Sequence, residues 1–139
     1  MTMDIANLNK KADLSEGEWI DDIPDMEGVR FKVRSTNYKP FRVATAGLAR
    51  RSGKKLRTDE GVVNYSITAG KALAEHILLD WDGVTEGGKP LRFDGKKALA
   101  ILTADDDFGI GETFRRGVEY AGDQVADRVA KKAGEAAGN

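Results

Sequence analysis

Apolar and polar positions first fall into a regular order after Glu18. Trp19, Ile20 and Ile23 lead to a turn at Pro24-Asp25, and a strictly alternating run follows Gly28. Val29, Phe31 and Val33 fall on one face of that run, and Arg30, Lys32 and Arg34 on the other. Alternation with period two predicts a half-buried strand, with the preceding segment as its antiparallel partner. A hairpin with a basic outer face is expected.

Beyond it the spacing turns helical. Ser35, Thr36 and Asn37 are candidate N-caps, and Pro40 falls in a first turn, where its missing N–H breaks no helical bond. Phe41, Ala44, Leu48 and Ala49 recur at helical intervals up to Arg50-Arg51. A second start at Thr58-Asp59-Glu60 opens a stripe of Val63, Ile67, Gly70, Ala74, Ile77, Leu78 and Trp81. That stripe predicts one helix of about five turns, closed at Gly83 by a residue without a Cβ. A Thr85-Glu86-Gly87-Gly88 turn follows, and Pro90 to Phe93 reads as extended, laying Leu91 and Phe93 on the core. Asp94 caps a short helix with Ala98, Leu99, Ile101 and Leu102. The last helix carries Ile110, Phe114, Val118, Ala121, Val125 and Val129 on one face, with Asp105, Asp106 and Asp107 suiting its N-terminal dipole.

The expected fold is mainly α, a small helical domain with an N-terminal β-hairpin as a minor α+β component. Residues 1–17 form a flexible arm, 18–129 a single domain, and 130–139 a flexible tail whose Ala, Gly and Lys offer little to pack.

Composition sharpens this picture mainly by exclusion. The 139 residues are 40% hydrophobic and 32% charged, and no apolar run approaches the ~18 residues that span a membrane. Residues 1–10 lack the charged-then-apolar order of a secretion signal, so a soluble intracellular product with no membrane partner is expected. There is no cysteine, which removes disulfide scaffolds and thiolate chemistry. The one histidine, His76, reads as a partly buried structural residue.

Net charge is only −1, but it is segregated. Residues 28–58 hold ten Lys or Arg and no acid, whereas residues 1–27 hold eight acids and two lysines. Such a block meets nucleic acid, or the acidic parts of the same fold or of a partner. It lacks interleaved exposed aromatics and a recognised binding motif, so nucleic acid stays an alternative rather than the leading reading.

Several motifs touch on catalysis. Residues 77–85, Ile-Leu-Leu-Asp-Trp-Asp-Gly-Val-Thr, resemble the first motif of the haloacid-dehalogenase phosphatases, with Asp80 as nucleophile and Asp82 as acid and base. Thr103, Lys96 or Lys97, and Asp105-Asp106 would supply the remaining parts. That fold needs parallel strands with crossovers of about 30 residues each, and too little chain follows Asp80. An EF-hand reading of residues 80–83 fails because glycine comes too early. Asp107-Phe108-Gly109 has no kinase loops around it, and Gly109-Ile110-Gly111 follows no strand. No catalytic residue, cofactor or metal site is expected.

The order as a whole resembles another family. A Gly-Val-Arg-Phe-Lys-Val-Arg strand, a basic helix, and a long helix ending in Ile-Leu-Leu-Asp-Trp-Asp-Gly-Val are followed by Gly-Lys-Pro-Leu-Arg-Phe, Ala-Leu-Ala-Ile-Leu and a terminal helix with Phe108 and Phe114. Together they resemble the tail-assembly chaperones of long-tailed bacteriophages, over roughly residues 19–121. The resemblance implies a small, non-enzymatic protein of the host cytoplasm, absent from the mature virion. It implies binding to the tape-measure protein, which it keeps soluble until tail-tube protein polymerises around it. A longer form made by ribosomal frameshift near Ala130-Lys131-Lys132 is a further implied partner, as is a second copy of the chain. Phe41, Leu48, Trp81, Phe93 and Phe114 are candidates to line a client groove, against the alternative that they are core. Arg30, Lys32, Arg34, Arg42, Arg50 and Arg51 are candidates for a charged interaction patch.

Overall fold

A computed structural model describes residues 13–48, 50, 57–105 and 109–137, with side chains to residue 134. The expected hairpin is present. β1 (Glu18–Ile20) pairs antiparallel with β2 (Arg30–Val33), placing Trp19 opposite Lys32 and Ile20 opposite Phe31. Phe31 and Val33 are fully buried, and Val29 is half-buried at the strand's entry. The basic residues take the other face, as the period of two requires.

Helix α1 (Lys39–Thr45) carries Pro40 in its first turn, as expected. Its N-cap is Tyr38, which makes no side-chain cap; the buried Ser35 hydroxyl instead accepts from the Asn37 N–H at 2.9 Å. Helix α2 (Asp59–His76) starts where expected, with Thr58 Oγ1 accepting from the Gly61 N–H at 3.0 Å.

The long helix does not continue to Gly83. It stops at His76, and Leu78–Asp82 is a strand, β3, that pairs antiparallel with β2. The sheet order is β1-β2-β3. The apolar residues at 77, 78 and 81 satisfy helical spacing, but Asp80 and Asp82 also alternate with Trp81 as a strand requires. Tertiary context decides between the periods. Asp82 and Asp80 fall opposite Arg30 and Lys32, and Trp81 falls opposite Phe31, so acid meets base outside and ring meets ring inside. The register slips between Lys32 and Val33, leaving Leu79 as the extra residue of a bulge. Gly83 does adopt positive φ, at 82°, but as the turn after a strand.

β4 (Thr85–Glu86) and β5 (Lys89–Pro90) form a two-rung hairpin around Gly87 and Gly88, both with positive φ. Asp94 caps α3 (Gly95–Leu102) as expected, its Oδ1 accepting from the Lys96 N–H at 2.9 Å. Helix α4 (Ile110–Ala137) runs past Val129, where the apolar spacing ends. Ala and Lys propagate a helix without tertiary packing, and residues 130–134 are exposed.

The core lies between the inner sheet face and α2, α3 and α4. Ile20, Phe31, Val33, Ile77, Leu102 and Val118 are at most 2% exposed. Two glycines let α4 approach closely: a Cβ on Gly117 would meet Met26 Sδ, and one on Gly122 would meet Thr36 Cγ2 at 2.8 Å. Among the described residues, no helix is long and apolar enough to cross a membrane.

Candidate functional site

The aromatic residues expected to line one client groove divide into two groups. Trp81 and Phe114 are 5% and 4% exposed, and the half-buried Phe93 stands edge-on to Trp81 at 5.0 Å between ring centroids. Phe114 contacts Trp81 at 6.0 Å and Phe31 at 5.6 Å, and Trp81 Nε1–H donates to Leu91 O at 2.8 Å. These rings spend most of their surface on one another, so Trp81 and Phe114 hold the sheet to α4, and Phe114 also lines a groove described below. Leu48 is also buried, at 7% exposure. Phe41 is half-buried and borders a groove described below.

Two residues of the expected basic patch have partners within the fold. Arg30 donates to Asp82 Oδ2 at 2.9 Å and lies 4.9 Å over the exposed Trp19 ring. Arg34 Nε–H donates to Ser15 O at 2.7 Å and its Nη1–H to His76 O at 3.1 Å, with the guanidinium 4.7 Å over Tyr38. Both cations therefore serve the fold. Lys32 stands in a cross-strand row between Trp19 and Asp80. Arg42 and Arg50 are exposed, and Arg51 lies outside the described residues, as do the Asp106 to Phe108 stretch and most of the expected N-terminal arm. His76 is half-buried at the last position of α2, as a structural histidine is expected to be.

Asp80 and Asp82 sit on the outer face of an antiparallel strand. Asp80 Oδ1 accepts from the Trp81 N–H at 2.8 Å, and Asp82 pairs with Arg30. That is neither the parallel sheet nor the buried strand end that a phosphatase nucleophile occupies.

Two of the open grooves among the described residues are walled by helices. The first, about 390 Å³, lies between α3, the first turn of α4 and the segment around β4 and β5. Val84, Leu91, Ala100, Ile101, Ala104 and Ile110 give it apolar walls, and Lys97 pairs with Glu86 at its rim at 2.7 Å. Ile110, which heads the apolar stripe of α4, is 63% exposed. It was expected in the core, but it lies outside the buried cluster, on the wall of this groove.

The second groove, about 230 Å³, lies between α1, α2 and α4. Phe41, Leu48, Tyr65 and Leu73 form its apolar part, and Glu119 and Asp123 stand one turn apart on its α4 side. Thr36 Oγ1–H donates to Asp123 Oδ1 at 2.7 Å. Glu119 and Asp123 are exposed residues, but partial burial of the Glu119 carboxyl, and then the neighbouring Asp123 charge, push it above the ordinary glutamate range. Tyr65 and Glu119 carried no sequence signal, because neither belongs to a motif or breaks a period.

No curated protein and no solved structure matches the chain. A family model described as YdaY prophage protein matches residues 36–139, which takes in α1 to α4, β3 and the walls of both grooves. That match covers most of the chain, and the chain belongs to this phage-related family, the YdaY prophage proteins.

Proposed function

We propose that this prophage protein is a non-enzymatic tail-assembly chaperone. It binds the tape-measure protein in the host cytoplasm, keeps it soluble until tail-tube protein polymerises around it, and leaves before the particle is finished. One observation supports the reading best: a chain of a prophage family carries an open apolar groove headed by Ile110, 63% exposed. A tape measure is a long helix with apolar stripes, and an apolar groove between helices covers such a stripe reversibly. The sequence resemblance to tail-assembly chaperones points the same way.

The affinity expected of such a site is modest. Covering the exposed part of Ile110 contributes roughly 1–2 kcal/mol, on the scale of 1.5–3 kcal/mol for a whole apolar side chain. Each 1.4 kcal/mol is about tenfold in affinity, so this residue alone is worth about tenfold.

The test is co-expression with the long helical protein encoded in the same prophage. The client is expected to stay soluble and to elute with the chain, and Ile110→Asp is expected to lower the soluble fraction. Aspartate at this exposed first position suits the helix dipole, so the fold survives the change. A client that stays insoluble beside well-folded chain would contradict the proposal.

A further inference from the structure

The groove between α1, α2 and α4 combines features that a purely apolar stripe would not use. Glu119 and Asp123 are four residues apart on one helix, an arrangement of like charges that weakens a helix on its own. Among the described residues, no cation forms an ion pair with either carboxylate. Thr36 fixes one oxygen of Asp123, which leaves the carboxylate held in place with acceptor capacity to spare. Opposite the acids stand two half-buried aromatic side chains, Phe41 and Tyr65. Ring faces attract a cation, and an apolar wall accommodates the methylene stem that carries one.

Size narrows the class of ligand. At about 230 Å³ the space falls below the ~300 Å³ lower bound of small-molecule sites, and suits one long side chain. Ile110 and Glu119 are nine residues apart on a helix of 3.6 residues per turn, so the two grooves open on opposite sides of α4.

We propose that this second groove receives a lysine or arginine side chain, flanked by apolar residues, from a helical segment of the client. The proposal rests on the chaperone reading and adds a chemical requirement to it. Apolar contact at Ile110 covers a stripe without distinguishing one register from the next. A cation seated between Glu119, Asp123 and the rings selects the turns of the client that carry a basic residue beside apolar ones. Charge pairing of this kind supplies specificity more than bulk affinity.

The experiment uses the full chain and labelled overlapping peptides that span the co-encoded long helical protein, with binding read by fluorescence anisotropy. The variants are E119Q with D123N, which keep shape and the Thr36 hydrogen bond while removing both charges, and E119K. For peptides with a central Lys or Arg, the double variant is expected to bind about tenfold more weakly, the usual scale for a charge-assisted contact. Replacing that basic residue by Gln should make wild type and double variant equal. E119K should lose the basic peptides and regain them when Glu replaces their Lys.

If the double variant binds every peptide as wild type does, the inference falls while the chaperone reading stands. If wild type binds no peptide and does not solubilise the client, both fall. A thermal midpoint of the double variant well below wild type would also overturn the inference, because the acids would then be satisfied within the chain.

Discussion

Replacing Gly70 by alanine sets two opposed effects against each other. Gly70 lies inside α2, where alanine is favoured over glycine by about 1 kcal/mol on helix propensity alone. At this position, however, α2 crosses α3. A Cβ on Gly70 would sit 1.8 Å from Leu102 O and 2.7 Å from Leu102 C. The obstacle is backbone, so no rotamer change relieves it. Leu102 is fully buried, and its carbonyl accepts from Arg115 Nη1 at 3.1 Å, while the same Nη1 donates to Ala104 O at 2.9 Å. Moving α3 away loosens Leu102 in the core and stretches the Arg115 bond.

Overpacking costs about 1–3 kcal/mol, and a clash of backbone with Cβ belongs at the upper end. A weakened hydrogen bond adds about 1 kcal/mol. Set against the propensity gain, the net loss is about 3 kcal/mol, which for a domain of this size lowers the thermal midpoint by about 10 °C. The assay is a circular-dichroism melt, with Gly134→Ala as the control. A Cβ on Gly134 meets nothing within 4 Å, so that change should leave the midpoint level or raise it slightly. A Gly70→Ala protein that melts at or above wild type would refute the close crossing of α2 and α3.

Three further outcomes are expected. Glu119→Gln should stabilise the chain at neutral pH. The Glu119 carboxyl is raised in the folded state by partial burial and by Asp123, so its ionisation opposes folding above the raised value, by a small amount because the residue is exposed to screening solvent. The gain should fade as pH falls through that value towards the ordinary glutamate range, and melts across acid pH check the sign. Trp81→Phe removes the indole donor to Leu91 O and opens space beside Phe93 and Phe114, a loss of about 2–4 kcal/mol readable by urea unfolding. Asp82→Ala breaks a pair whose side chains are 48% and 62% exposed, and should cost under about 1 kcal/mol in the same assay.

Much of the fold was legible because several stretches obey one period and carry their own boundary signals. The alternation of residues 29–34 fixed β2, and Thr58 and Asp94 announced α2 and α3 by side chains able to accept from exposed helix N–H groups. Residues 77–82 were misread because Ile77, Leu78 and Trp81 fit a helix as well as a strand. The deciding signal was non-local: the acids at 80 and 82 match the bases at 30 and 32, and only pairing across the sheet reveals it. Two members of the expected basic interaction patch have roles in the fold for the same reason, since Arg30 and Arg34 find partners far away in sequence.

The candidate sites were harder to read. A hydrophobic stripe does not say which of its members outruns the core, so Ile110 looked like Phe114 and Val118. Trp81 looked available because its contact with Phe114, through β3 and α4, is a property of the packed fold. The groove between α1, α2 and α4 draws Phe41, Tyr65, Glu119 and Asp123 from three separate helices, and no local pattern unites them.

Deletion of the gene from an inducible lysogen tests the proposed role most directly, with particles examined by electron microscopy and client solubility followed in the induced cells. Heads without tails and an insoluble tape-measure protein are expected, both restored by the wild-type chain in trans and poorly by Ile110→Asp. Normal tails in its absence would contradict a chaperone role in tail assembly.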